Sequence, residues 1–274
     1  MPSAIDPLKV IAEILGEPAA KMRNPANMEY LCPFLAGTCI KRSQRIEGPY
    51  PVCTVFHGRR ANSIPKAMCV CPKRLYQIDL QKDVLEHCWP GAPPKNPQVA
   101  YEVKMAGFGN VDFVIADVAD DGNTIREFVS VEMQAVDIVG TVEPAYQAIL
   151  NSVPSVAANY GINWGNVRKR YITQLITKGF YHHHWHSRIV AVLQTATYDA
   201  IRQFIRFDEL DPNAGGNTII FMLYDYVKDS TSGEYNLELK NVVGTSHNSL
   251  MMASMYRQIP DRQVFCERII SRMT

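Results

Sequence analysis

The run Asn110-Val111-Asp112-Phe113-Val114-Ile115-Ala116-Asp117-Val118, continued by Asp120-Asp121-Gly122-Asn123 and then Phe128-Val129-Ser130-Val131-Glu132-Met133-Gln134-Ala135, decides how this chain folds. Asp-Gly and Gly-Asn are turn dipeptides, because glycine reaches positive φ without a steric cost. The flanks are rich in Val, Ile and Phe, which suit half-buried strands. Together they predict an antiparallel hairpin centred on Gly122. Asp112 and Glu132 are equidistant from that centre, so they should face each other with Cβ atoms about 5 Å apart. Side chains alternate along a strand, which puts Gln134 on the face of Glu132. Two carboxylates that close repel unless a positive charge lies between them. Mg2+ suits the pair, since it takes one or two carboxylate oxygens and keeps several waters. Such a cation serves phosphodiester hydrolysis. In that reading Asp112 and Glu132 bind Mg2+, and the Met133 carbonyl is available as a third ligand. Gln134 orients the attacking water, being unable to act as a base or carry charge. The competing reading is an exposed strand face with Glu132 and Gln134 turned to water.

Outward from the hairpin, Val99–Lys104 predicts a preceding strand, with Glu102 read as a surface residue rather than a further carboxylate of the site. Val142–Val156 predicts a helix ending near Pro154. After a turn at Gly161–Asn166, Val167–Thr177 has helical spacing, with Asn166 as N-cap and Gly179 closing the end. Arg168, Lys169 and Arg170 would then occupy the first turn, where the helix dipole disfavours cations; an anionic partner explains them better than a solvated face. Tyr181–His186 reads as an exposed connection. Adjacent histidines on an extended chain point opposite ways, so a metal site is the weaker reading there. Thr197–Phe207 predicts a helix, Asn217–Tyr226 a buried strand, and Tyr235–Val243 a strand followed by one or two helices. On the N-terminal side, Asp6–Leu15 reads as a helix capped by Asp6 with Pro7 at its first position and Gly16 as its stop. Asp79–Trp89 predicts a short helix, cut off by Pro90-Gly91-Ala92-Pro93-Pro94. Strands and helices in this order imply an α/β fold, a mixed central sheet flanked by helices.

The segment Leu31–Leu75 holds five of the seven cysteines, Cys32, Cys39, Cys53, Cys69 and Cys71, in a stretch too poor in apolar residues to build its own core. Two readings stand for them: thiolate ligands of a structural metal, or free, partly buried thiols. The Pro90–Pro94 break divides the chain into a cysteine-rich module, residues 1–90, and a main α/β domain, residues 91–274. Net charge is only +1, but between Tyr30 and Ile78 a single acidic residue, Glu47, faces Lys41, Arg42, Arg45, Arg59, Arg60, Lys66, Lys73 and Arg74. Segregated basic residues provide a phosphate-binding face even on a near-neutral chain. No apolar run approaches the roughly 20 residues that cross a bilayer. The N-terminus lacks the basic and apolar regions of a signal peptide, so a cytoplasmic protein is expected.

Taken in order, these motifs resemble those of the NotI-type restriction endonucleases (with EagI), a branch of the PD-(D/E)XK nucleases. Val10-Ile11-Ala12-Glu13 is similar to the family's N-terminal helix. Cys32-Pro33-Phe34-Leu35, Cys39-Ile40-Lys41, Val52-Cys53-Thr54-Val55 and Val70-Cys71-Pro72-Lys73-Arg74 resemble its four-cysteine module. Val111-Asp112-Phe113 and Val131-Glu132-Met133-Gln134 resemble its active-site strands, and Asn166-Val167-Arg168-Lys169-Arg170 with Gln174 its following helix. The resemblance covers roughly residues 10–180. It implies a type II enzyme, a homodimer that cleaves double-stranded DNA at a palindromic site with Mg2+. It implies Asp112, Glu132 and Gln134 as the catalytic set, and a structural iron or zinc on Cys32, Cys39, Cys53 and Cys71. Gln134 replaces the superfamily's usual Lys but agrees with this branch. The Cys32–Cys39 gap is shorter than the family's, and the C-terminal third matches only vaguely. Lys41, Arg42, Arg59, Arg60, Arg168, Lys169 and Arg170 are the candidates for DNA contact. The rival expectations are another PD-(D/E)XK nuclease of repair or mobile elements, or a non-catalytic, metal-stapled DNA-binding protein.

Overall fold

The computed structural model describes residues 4–22, 29–43, 46–58, 65–256 and 261–273. After a two-residue strand at Ala4–Ile5, which pairs with Val156–Ala157, β1 (Ile11–Ile14), β2 (Val52–His57) and β3 (Lys66–Cys69) form a small antiparallel sheet with the two-residue strand Glu17–Pro18. A second, six-stranded sheet contains β4 (Gln98–Lys104), β5 (Asn110–Val118), β6 (Ile125–Met133), β9 (Arg188–Gln194), β10 (Ile219–Lys228) and β11 (Tyr235–Thr245). Between β6 and β9 the chain makes a small ribbon from β7 (Ile138–Thr141) and β8 (Asn159–Ile162).

The large sheet runs in the order β11-β10-β9-β6-β5-β4. β6, β9 and β10 are parallel neighbours and the remaining pairs are antiparallel, which makes the sheet mixed, as expected. Ile189 to Leu193 on β9 and Ile219 to Met222 on β10 are wholly buried, the continuous apolar run of strands covered on both faces. One face carries the turn Pro72–Gln77 and helix α1 (Leu80–His87), whose Leu75, Leu80 and Val84 pack on Phe113, Ile115, Val131 and Val190. After α2 (Glu143–Leu150), which packs with the small sheet, come α3 (Ile172–His184), α4 (Thr195–Arg202) and α5 (His247–Met255). Leu175, Ile201 and Leu250 on these three helices cover Ile189, Leu193 and Phe221 on the opposite face. A last helix, α6 (Arg262–Ile270), has no buried residue. Among the described residues no helix is long and apolar enough to cross a membrane.

Three local readings need correction. The Asp6–Leu15 helix, the segment that resembles the family's N-terminal helix, is instead a short 3-10 turn over Pro7–Lys9 followed by β1. Asp6 does cap, accepting a hydrogen bond from the Leu8 amide at 2.9 Å. All four residues of β1 are buried, so the apolar spacing that looked like one helical face belongs to a strand covered on both sides. The helix expected over Val142–Val156 closes earlier, at Leu150.

The third correction matters most for the site. Helix α3 neither starts at Asn166 nor stops at Gly179. Asn163 provides the cap, its Oδ1 accepting from the Asn166 amide at 3.1 Å, and the helical path runs through a π-turn at Val167–Tyr171 into α3 and on to His184. Gly179 allows close packing instead: a Cβ there would meet Ile219 Cγ1 at 2.8 Å and His247 Cβ at 3.0 Å.

The two sheets are joined by one buried ion pair. Arg74, 1% exposed, donates from Nε to Glu13 Oε2 and from Nη2 to Glu13 Oε1, each at 3.0 Å. Its remaining donors reach Gln77 Oε1 at 2.6 Å and the Tyr235 carbonyl at 2.5 Å, while Thr54 donates to Glu13. Removing one partner strands the other charge in the interior. Arg74→Met is therefore expected to cost about 3–5 kcal/mol of stability in urea denaturation, and Glu13→Leu combined with Arg74→Met to recover most of it.

Candidate active site

The Gly122 turn forms as its residues dictate. Gly122 has φ +69, and the Asp121 carboxylate accepts from the amides of Asn123 and Thr124, each at 2.9 Å. The register follows: Phe113 pairs with Val131, Ile115 with Val129 and Asp117 with Glu127. Asp112 and Glu132 are next in that ladder. There the strands fork, because β6 keeps its pairing with β9 (Met133 with Val192) while its ladder with β5 ends. The Met133 amide donates instead to Asp112 Oδ2 at 2.7 Å. A carboxylate thus takes the place of a strand carbonyl, and Asp112 is held at the mouth of the fork. On the other side Tyr101 pairs with Phe113 and Val103 with Val111, which puts Glu102 beside Asp112, with its backbone at φ +51. A non-glycine residue in that region is strained, and such strain gathers at functional sites.

Helix α3 lies against this row. Four helical residues rise about 6 Å and two strand residues about 6.6 Å, so an i, i+4 column on a helix keeps step with an i, i+2 column on a strand. His182 Nε2 meets Ser130 Oγ at 2.8 Å, and one turn back Lys178 Nζ donates to Glu132 Oε1. A further turn back, Gln174 shares with Gln134 a cleft of about 270 Å³ that Arg170 and Tyr171 also line. Glu132 and Gln134 alternate with the buried Val131, Met133 and Ala135, so they do occupy one face. The Gln134 amide nitrogen donates to the adjacent Ala135 carbonyl. Tyr171 is buried, and its hydroxyl has no hydrogen-bond partner among the described residues.

Burial dominates the electrostatics. It pushes Glu132 up from its ordinary 4.5 to about 7; the Lys178 bond and charge oppose this, and the charges of Asp112 and Glu102 reinforce it. Burial also raises Asp112, against the Met133 amide, with Glu102 raising it further and Lys73 and Lys178 lowering it. Lys73 Nζ lies 3.9 Å from Glu102 Oε1. Burial holds His182 near 4, so it stays neutral at pH 7.

The basic candidates separate. Lys169 and Arg170 are exposed, whereas Arg168 stacks on Phe204 with its guanidinium 3.8 Å from the ring centroid. Arg42 is exposed and bonds the Cys39 carbonyl at 2.8 Å. Lys41 turns inward: its Nζ donates to the carbonyls of Val52, at 2.5 Å, and Val70, at 3.0 Å. Arg59 and Arg60 lie outside the described residues.

Among the described residues no group of three or more His, Cys, Asp or Glu side chains is arranged to hold a metal ion, and Cys32, Cys39, Cys53 and Cys71 are free. The thiols do gather. Burial raises Cys39, and the charges of Cys32 and Cys71 raise it further; burial raises Cys53, and Cys71 adds to it. The Lys41 ammonium stands among them, interacting with Cys71, Cys53, Cys69 and Cys39. The histidine run is exposed over His183 to His186, as expected, but it is not all connection: His182 to His184 continue α3, and both ring nitrogens of the buried His182 are taken by Ser130 and the Lys178 carbonyl.

Lys178 escaped the sequence reading, although a signal existed. Tyr171, Leu175, Lys178 and His182 form the buried stripe of one helix, and a lysine there demands an acidic partner. A helix taken only as far as Thr177 stops one residue short of it.

Fold and site together define an α/β protein with an acidic centre at a forked strand, backed by a buried ammonium. Residues 102–237 match the family model described as restriction endonuclease NotI. The match supports a restriction endonuclease of the NotI type, a DNA-cleaving hydrolase acting on double-stranded DNA. It takes in Glu102, Asp112, Glu132, Gln134 and Lys178 and leaves out Cys32 to Cys71. No curated protein matches the chain.

Glu132 titrates higher folded than unfolded, so its contribution to stability is complete below about pH 4.5 and is lost as the pH rises through about 7. Melting temperatures of the metal-free protein between pH 5 and 8 should fall more steeply for the wild type than for Glu132→Gln.

Proposed function

We propose that the chain is a type II restriction endonuclease that cleaves double-stranded DNA at a palindromic site with Mg2+. The observation carrying this reading is the opposition of Asp112 and Glu132 at the fork, within the stretch that matches the restriction endonuclease model. Two hard carboxylates are a fitting donor set for Mg2+, which asks for one or two protein oxygens and completes its shell with water and substrate phosphate. When bound, the ion supplies charge neutralisation at the phosphate and a nucleophile near neutral pH.

The chain's own residues do the rest. Asp112, fixed by the Met133 amide, and Glu132, facing it from the neighbouring strand, would hold the ion. Gln134, on the face of Glu132 and beside the cleft, positions the water through its amide, in a variant of the PD-(D/E)XK arrangement. Arg170 lines that cleft and its exposed neighbour Lys169 also suits phosphate contact, as do Arg42 and Arg168. A palindromic site is matched by a two-fold symmetric protein, hence a homodimer acting in the cytoplasm. Residues 91–274 form the catalytic part in this reading, and residues 1–90 the module beside it.

A plasmid digest with Mg2+ should give discrete fragments whose ends, read by run-off sequencing, share one symmetric sequence; EDTA should abolish them. Smearing would point to a non-specific nuclease. Asp112→Asn should slow cleavage about a thousandfold, the rate equivalent of roughly 4 kcal/mol, with duplex binding in a gel-shift assay little changed. Undiminished cleavage by Asp112→Asn would rule out this site.

A further inference from the structure

The oxygen that the nuclease reading assigns to a metal is already held by an ammonium. Lys178 is 2% exposed, and its Nζ donates both to Glu132 Oε1 and to the Asn110 carbonyl, the latter at 2.8 Å. Asn110 begins β5, the strand of Asp112, and Glu132 lies on β6. One ammonium therefore ties together the two strands that carry the acids, at the point where their own hydrogen-bond ladder has ended. The lysine reaches this point from the buried stripe of α3, and the next titratable group along that stripe, His182, is bonded to Ser130 and the Lys178 carbonyl and is kept neutral by burial and by the Lys178 charge. The groups facing Lys178 from the sheet are Glu132 and Asp112. An interior charge is tolerated only when it is paired and hydrogen-bonded, and these partners supply that pairing.

We infer that Lys178 is the internal counter-ion of the acid pair, a positioning residue whose ammonium and a divalent metal compete for the same Glu132 oxygen. The inference rests on the nuclease reading for the metal, and on the geometry alone for the competition. The ammonium prevents the two carboxylates from driving each other apart before metal arrives. It also sets a threshold, because the metal must displace a bonded cation to complete its hold on Glu132. The Asn110 carbonyl keeps the displaced ammonium beside the site rather than releasing it to solvent.

The sign of one measurement separates this role from a purely structural one. Titration calorimetry with Mg2+ alone, on the full-length metal-free protein, should show Lys178→Met binding the ion about tenfold more tightly than the wild type, because a competing charge is gone. Lys178→Arg should stay near wild type, and Glu132→Gln should lose most of the affinity. A lysine that merely props up the helix predicts the reverse, weaker binding in Lys178→Met as Glu132 loses its hold. Equal or weaker Mg2+ binding by Lys178→Met overturns the inference, as does a wild type that binds no Mg2+. If Lys178→Met fails to fold, Lys178→Gln, which keeps a donor but not the charge, carries the same expectation. A wild type that binds Mg2+ through Glu132 yet leaves every duplex intact fails the nuclease reading only. Normal cleavage with unchanged affinity in Lys178→Met fails this inference only.

Discussion

Everything near the acidic centre depends on the register of one hairpin. Because the side-chain period of a strand is two, a slip by one residue would send Asp112 to the opposite face from Glu132 and drive Phe113 and Val131 out of the core. The Asp121–Thr124 turn pins that register by side-chain hydrogen bonds to its own backbone, and the buried apolar residues on the far side of β5 and β6 enforce it. The fork then follows from competition for β6. Its pairing with β9 persists where its pairing with β5 ends, and the free amide of Met133 is taken by Asp112.

The cost of this arrangement is electrostatic. Asp112 and Glu132, largely withdrawn from water, gather negative charge with the exposed Glu102 beside them, and both Asp112 and Glu132 respond by holding protons more tightly than usual. Helix α3 offsets the cost with a column of polar groups in step with the strand, and the fit arises from the near-equality of four helical rises and two strand rises. Tyr171 is the one member of that helix face near the acids whose hydroxyl finds no partner among the described residues. It borders the cleft beside Gln134, where an incoming group could satisfy it.

Much of this was legible in the residues. The turn chemistry around Gly122 placed Asp112 against Glu132, because local backbone preferences and the apolar pattern agreed. The mixed sheet and α1 were legible for the same reason. What escaped was set by tertiary context. Gly179 looks like a helix stop until Ile219 and His247 are seen pressing on it. β1 looks helical because burial on both faces erases the strand's alternation. The inward turn of Lys41, whose Nζ bonds the carbonyls of Val52 and Val70, is likewise invisible in the spacing of the cysteines around it. Lys178 and Glu132 lie 46 residues apart, and no local pattern announces such a meeting.

The turn Pro72–Gln77 holds two neighbouring residues whose side chains go separate ways: Arg74 binds Glu13 in the small sheet and the carbonyl of Tyr235 in the large one, and Lys73 approaches Glu102 at the edge of the acidic centre. The N-terminal segment is thereby riveted to the rest and cannot be treated as an interchangeable cassette. Exchanging it for an unrelated segment would leave a guanidinium marooned in the interior and slacken the turn beside the acidic edge. Redesign of such a scaffold has to begin from surface loops, with that rivet left in place.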